Sequence, residues 1–65
     1  MANAVLRLPE VKRRTGLSRS SIYKRIAEHA FPRGLSLGGR SRGWLESEVE
    51  RWITSRAEAR DEESR

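Results

Sequence analysis

The sequence predicts a mainly α fold, a small winged helix-turn-helix of three helices plus a two-stranded β-hairpin wing. Three observations lead there. Residues 11–26 read as a short helix, a tight turn at Gly16 and a second helix opening at Ser18. Residues 35–44 place Leu35 and Leu37 around Ser36, then Gly38-Gly39, then a segment that can pair back, the pattern of a hairpin. Beyond Glu46, the residues Val49, Trp52, Ile53 and Arg56 recur at i, i+3, i+4 and i+7, one face of a third helix.

Taken in order, residues 1–4 carry no structural signal. Leu6 and Leu8 alternate around Arg7, so a brief extended segment is expected to lay two leucines on the core. Pro9 suits a first helical turn, where its missing N–H is no loss, and Glu10 puts an acid where the helix dipole favours one. The first helix is expected over residues 9 to 14 or 15. Gly16 fits the position just past its end, where φ is often positive, and Leu17 supplies the apolar contact that accompanies such a cap. Ser18 is a good N-cap, its hydroxyl placed to accept from the backbone N–H of Ser20 or Ser21. Ile22, Ile26 and Ala30 form the apolar stripe of the second helix, expected over about 18–29 and stopped by Pro32 and Gly34.

The hairpin, over about 35–44, is expected to lean on the helices, since two strands alone are not stable in water. Its tip should display Arg40 and Arg42. Glu46 and Glu48 then open the last helix, whose Trp52 and Ile53 are expected to pack inward against the other helices; Trp44 and Trp52 read as core, with stacking on bases as the rival. The polar tail carries Asp61-Glu62-Glu63 and is expected to fray from about residue 59. The ordered core is therefore expected over about 5–58 of a single domain spanning 1–65.

Composition narrows the function. A chain of 65 residues buries only about 60% of the surface its unfolded form exposes, so its stability is marginal. There is no cysteine, which excludes disulfides and cysteine-ligated metal and makes a reducing cytoplasm the simplest home. No apolar run approaches the ~20 residues of a membrane helix, and the N-terminus has no signal-peptide core. A cytoplasmic protein, nucleoid-associated when bound and without a membrane partner, is expected. His29 is the one histidine and builds neither a metal site nor a catalytic pair; Gly38-Gly39-Arg40 lacks the Gly-Lys-Ser/Thr of a phosphate-binding loop. No enzyme, cofactor or metal is expected.

Charge is unevenly spread. Residues 1–44 hold ten Lys/Arg against Glu10 and Glu28, a net of +8, whereas residues 45–65 hold four Arg against seven acids, a net of −3. Such a division fits a basic face that meets a polyanion, with the acidic segment turned away. A recognition helix needs cationic or hydroxylic side chains in its first two turns, where its N-terminal end enters the major groove. Ser18, Arg19, Ser20, Tyr23 and Lys24 meet that need, and Arg40, Ser41 and Arg42 on the wing suit the adjacent backbone or minor groove. The plainer alternative is a helical hairpin whose charges are merely solvated. Tyr23 lies one residue off the Ile22–Ile26 stripe, which allows it either to seal the core edge or to donate to a phosphate. A protein–protein adaptor using the basic face is a rival reading. RNA is disfavoured, because the A-form major groove does not admit a helix.

The residues Arg7-Leu8-Pro9-Glu10-Val11, Thr15-Gly16-Leu17-Ser18-Arg19-Ser20-Ser21-Ile22-Tyr23, Phe31-Pro32, Gly38-Gly39-Arg40, Gly43-Trp44-Leu45-Glu46-Ser47-Glu48-Val49 and Trp52 resemble the AlpA family of prophage regulators. The resemblance covers about residues 6–56 and is specific in order and spacing. That family is similar to excisionases and to the DNA-binding domain of MerR-type regulators. The resemblance implies a transcriptional regulator of phage or prophage type that binds promoter or attachment-site duplex DNA. An excisionase-like factor that bends DNA in recombination is the alternative, and a phage packaging subunit is a further rival with a similar helix-turn-helix. The implied partners are double-stranded DNA, a second copy of the chain on adjacent sites, and integrase or RNA polymerase. By position, Ser18, Arg19, Ser20, Tyr23 and Lys24 fall on the family's recognition helix, and Arg40, Ser41 and Arg42 on its wing. Lys12 departs from the usual small residue in mid helix 1, so a short, MerR-like first helix is expected. Without a coiled coil or effector domain, ligand sensing of the MerR kind is not.

Overall fold

Pro9 and Gly16 bracket the first helix much as their chemistry dictates. In the computed structural model, which describes residues 4–64, helix α1 runs over Leu8–Thr15 with Pro9 in its first turn. It starts one residue early because Arg7, extended at φ −86°, ψ 166°, serves as its N-cap. Gly16 closes it in the left-handed conformation at φ 73°, and its N–H donates to the Lys12 carbonyl at 2.8 Å. An L side chain there costs roughly 1–2 kcal/mol, so the glycine sets the turn. Thr15 Oγ1 donates back to the Val11 carbonyl at 2.8 Å.

Helix α2 spans Arg19–Ala27, and the Ser18 hydroxyl accepts from the Ser21 N–H at 3.2 Å. The helix ends two residues short of the expected 29, and Pro32 is not what stops it. His29 adopts φ 59°, its N–H donates to the Ile26 carbonyl at 3.0 Å, and the Ala30 N–H donates to the Arg25 carbonyl at 2.7 Å. This pair of bonds is a Schellman motif with histidine where glycine is usual.

The sheet is one strand wider than expected. Strands β1 (Val5–Leu6), β2 (Leu35–Ser36) and β3 (Arg42–Leu45) form an antiparallel sheet in the order β1-β3-β2. The expected hairpin is the β2–β3 pair, with Leu35 opposite Gly43 and Ser36 opposite Arg42. The N-terminal extended segment adds itself to the far side of β3, with Val5 opposite Leu45 and Leu6 opposite Trp44. Gly43 permits this closeness, since a Cβ there would lie 2.4 Å from Val5 Cγ1. Leu35 and Leu37, whose alternation around Ser36 suits a half-buried strand, are exposed. Leu35 faces Gly43, which alternates with Trp44 along β3, so it lies on the sheet face away from the core.

The core takes one residue from nearly every element: Leu6, Val11, Ile22, Phe31, Trp44 and Val49 are buried, with Leu8, Leu17, Ile26 and Trp52 packed around them. Trp44 is fully buried and donates its indole N–H to the Pro32 carbonyl at 3.0 Å. Trp52 packs edge-on against Phe31 with centroids 4.9 Å apart and donates to the Ala30 carbonyl at 2.8 Å. Trp44 is thus a core residue and Trp52 a partly buried one packed against the core, both with their polar atoms satisfied. Helix α3 (Glu46–Glu63) is helical four residues past the expected fraying point of 59. Ile53, expected to pack inward, is 37% exposed, because Val49 and Trp52 take the contact face. Among the described residues, no helix is long and apolar enough to cross a membrane, and no group of three or more His, Asp or Glu is placed to hold a metal ion.

Candidate nucleic-acid interface

The local chemistry of the Gly16 turn aims the start of α2 at solvent. Ser18 spends its hydroxyl on the Ser21 N–H and lies 3.3 Å from the Ser20 hydroxyl. Arg19, the first residue of α2, stacks on the Tyr23 ring, with its guanidinium carbon 5.1 Å from the ring centroid. Tyr23 meets Trp44 edge-on, at a centroid distance of 6.3 Å and an interplanar angle of 69°. A chain of contacts therefore runs from the buried Trp44 through the half-open Tyr23 to an exposed arginine. Stacking of this kind restricts the guanidinium without neutralising it. Tyr23 is exposed, touches the core through Trp44 and supports Arg19 with its face. Lys24 is exposed one turn beyond Ser20, while Arg25 is tethered to the Ser21 hydroxyl at 2.6 Å.

On the wing, the Leu37 N–H donates to the Ser41 carbonyl at 2.8 Å and the Ser41 N–H to the Gly38 carbonyl at 3.0 Å. Gly38 at φ 104° and Gly39 at φ 57° make that turn possible. Arg40 sits in the turn, as expected, and Ser41 closes it through its backbone. Arg42 does not sit at the tip. It is the first residue of β3, its Nη1 donates to the Gly34 carbonyl at 3.1 Å, and its own carbonyl accepts from Arg7 Nε at 3.2 Å. Gly34 makes room for it, since a Cβ at that position would lie 2.6 Å from Arg42 Cγ.

Four arginines converge where helix and wing meet. Arg7, Arg19, Arg40 and Arg42 line a notch of about 170 Å³ with Tyr23 and Trp44, and no acidic side chain lines it. Sequence reasoning singled out three of the four. Arg7 escaped it because β1 reaches β3 only by a long-range pairing that a two-residue strand does not announce. Ser18, Ser20, Lys24 and Ser41 lie outside the notch. On α1 two arginines are paired: Glu10 pairs with Arg13 and, at 2.8 Å, with Arg14, whose Nη1 reaches Glu46 at 2.6 Å. The hydrogen bonds from Arg13 and then Arg14 lower the Glu10 carboxyl to about 2, and the same bonds raise both arginines.

A helix pair joined at a left-handed glycine, flanked by a hairpin and carrying four arginines at the junction, defines a small winged helix-turn-helix protein. The family described as prophage CP4-57 regulatory protein (AlpA) matches residues 4–57, and the chain belongs to that family. It is 49% identical over 55 residues to the uncharacterized protein ORF88 of Enterobacteria phage P4, an alignment covering 85% of this chain and 62% of the phage protein. It is 36% identical to the DNA-binding transcriptional activator AlpA of Escherichia coli (strain K12), over 80% of this chain and 83% of that protein. The chain thus spans less than two thirds of the phage relative's length.

Proposed function

We propose that this chain is a sequence-specific double-stranded DNA-binding protein, a transcriptional regulator of phage or prophage type. One observation carries the reading: the first residue of α2 and the arginines of the wing border the same notch, with no acidic side chain lining it. A helix start and a hairpin that share a cationic face can engage one stretch of duplex together. In this reading α2 enters the major groove by its N-terminal end, with Arg19, Ser20 and Lys24 against base edges. Arg40 and Arg42 hold the adjacent backbone or minor groove. The similarity to the DNA-binding activator of E. coli supports the same conclusion. The partners proposed are duplex DNA and a second copy on neighbouring sites, because one domain of this size reads only a few bases. Integrase or RNA polymerase would be the protein partner at the regulated site.

The test is selection from a random duplex pool, followed by anisotropy on the enriched sequence and on a scrambled duplex over a range of salt. An enriched sequence bound at least tenfold tighter than the scrambled one supports the reading. No enrichment, with equal and salt-sensitive binding to both, rejects sequence-specific regulation by this chain.

A further inference from the structure

The Arg7–Arg19–Arg40–Arg42 notch has a composition that folding alone does not explain. Like charges gathered around one small space repel, and among the described residues ion pairs engage Arg13, Arg14 and Arg60. None of the four notch arginines is in such a pair. Arg7 and Arg42 instead turn one N–H each to backbone carbonyls, which fixes their direction and leaves their remaining donors free. Two helices also begin here, since Leu8 and Arg19, the first residues of α1 and α2, both line the notch. Helix N-termini carry partial positive charge, so both dipoles add to the field of the arginines. Trp44 and Tyr23 give the notch a rigid aromatic side.

We infer that this notch is a seat for one phosphodiester of the DNA backbone, held by Arg7 from the N-terminal segment together with Arg40 and Arg42 from the wing. The inference rests on the DNA-binding reading and adds to it a residue and a division of labour. Arg7, the N-cap of α1, is a backbone-gripping residue outside both the recognition helix and the hairpin. Arg19, on the border of the seat and braced by Tyr23, is the arginine left for a base edge. A guanidinium fork suits an anionic oxygen pair, which a single ammonium does not match. Seating one phosphate at the junction also fixes the register of α2 in the groove, because the seat and the recognition helix share Trp44 and Tyr23 as their support.

The test couples protein and DNA changes. A methylphosphonate, which is uncharged, replaces each phosphate in turn along the selected duplex, and affinities are compared for the wild-type chain and R7Q. The expected result is one phosphate whose replacement weakens the wild type several-fold and adds little to R7Q. The same variant should lose affinity equally on selected and scrambled duplexes. Its loss of affinity between 50 and 200 mM salt should be about 3.5-fold smaller, as when one phosphate is no longer neutralised. R40Q, an exposed turn substitution outside the core, should couple to the same phosphate and carries the test if R7Q loosens β3. If protein and phosphate losses multiply at every position for both variants while the selected duplex is still preferred, the seat is wrong and the DNA-binding reading stands. If the coupling is found but both duplexes bind equally, the seat stands and base reading falls.

Discussion

His29 shows how one residue can carry a structural decision without a visible signal. Its φ of 59° ends α2 and lets Ala30 and Phe31 turn toward α3. Histidine has no Cβ-free route into that conformation, so H29G should stabilise the fold by about 1 kcal/mol, about 4–8 °C in Tm for a domain this size, readable by thermal melting. An unchanged or lower Tm would mean that the imidazole compensates the strain. Gly16 and Ser18, by contrast, were legible, because a left-handed glycine and a serine N-cap are local requirements with few alternative residues. At the same scale the place of Arg19 in the first turn of α2 was legible and that of Arg42 only in part. The reach of Arg42 to the Gly34 carbonyl depends on the hairpin that separates them in sequence and on the space a glycine leaves.

Between elements, the joints are few and each can be broken separately. Trp44 sits at the centre of the core and joins β3 to the loop after α2 through the Pro32 carbonyl. W44A should cost about 3–5 kcal/mol, comparable with the roughly 3–10 kcal/mol available to a chain of this length, and circular dichroism should show an unfolded protein at room temperature. A cooperative melt of normal midpoint would place the core elsewhere. Glu10, Arg14 and Glu46 form the polar joint from α1 to the first turn of α3. Because the Glu10 carboxyl is lowered from 4.5 to about 2, its contribution is present above pH 4.5 and fades as the pH falls toward 2. The Tm of E10Q should therefore fall less than that of the wild type between pH 4.5 and 2; parallel curves would remove this joint from the acid response. The helices and the hairpin could be read from periodicity, caps and Gly38-Gly39. The addition of β1 to the sheet could not, since a pairing of Val5–Leu6 with Leu45 and Trp44 is a matter of tertiary register and not of local pattern.

As a whole, the molecule sorts its charges. The positive excess of residues 1–44 is partly cancelled by Glu10 and Glu46 at the α1–α3 joint, and four of its arginines gather where helix and wing meet. The acids of residues 58–63 lie on the last turns of α3, whose extension carries the molecule to a long dimension of 46 Å. The charge division along the chain was legible from composition, whereas the convergence of four arginines on one notch needed the fold. R40A combined with R42A should weaken binding on every duplex and flatten the salt slope by up to ~2, as expected when two cations no longer reach phosphates; an unchanged slope would take the wing out of the interface. That the first turn of α2 reads base edges is tested most directly by the affinity ratio of selected to scrambled duplex in the wild type and in R19A, measured at one fixed salt concentration. If Arg19 grips a base, the ratio falls about 5- to 150-fold, the equivalent of about 1–3 kcal/mol of base discrimination, with a smaller loss on scrambled DNA. An equal loss on both duplexes, leaving the ratio unchanged, would contradict base reading by this helix.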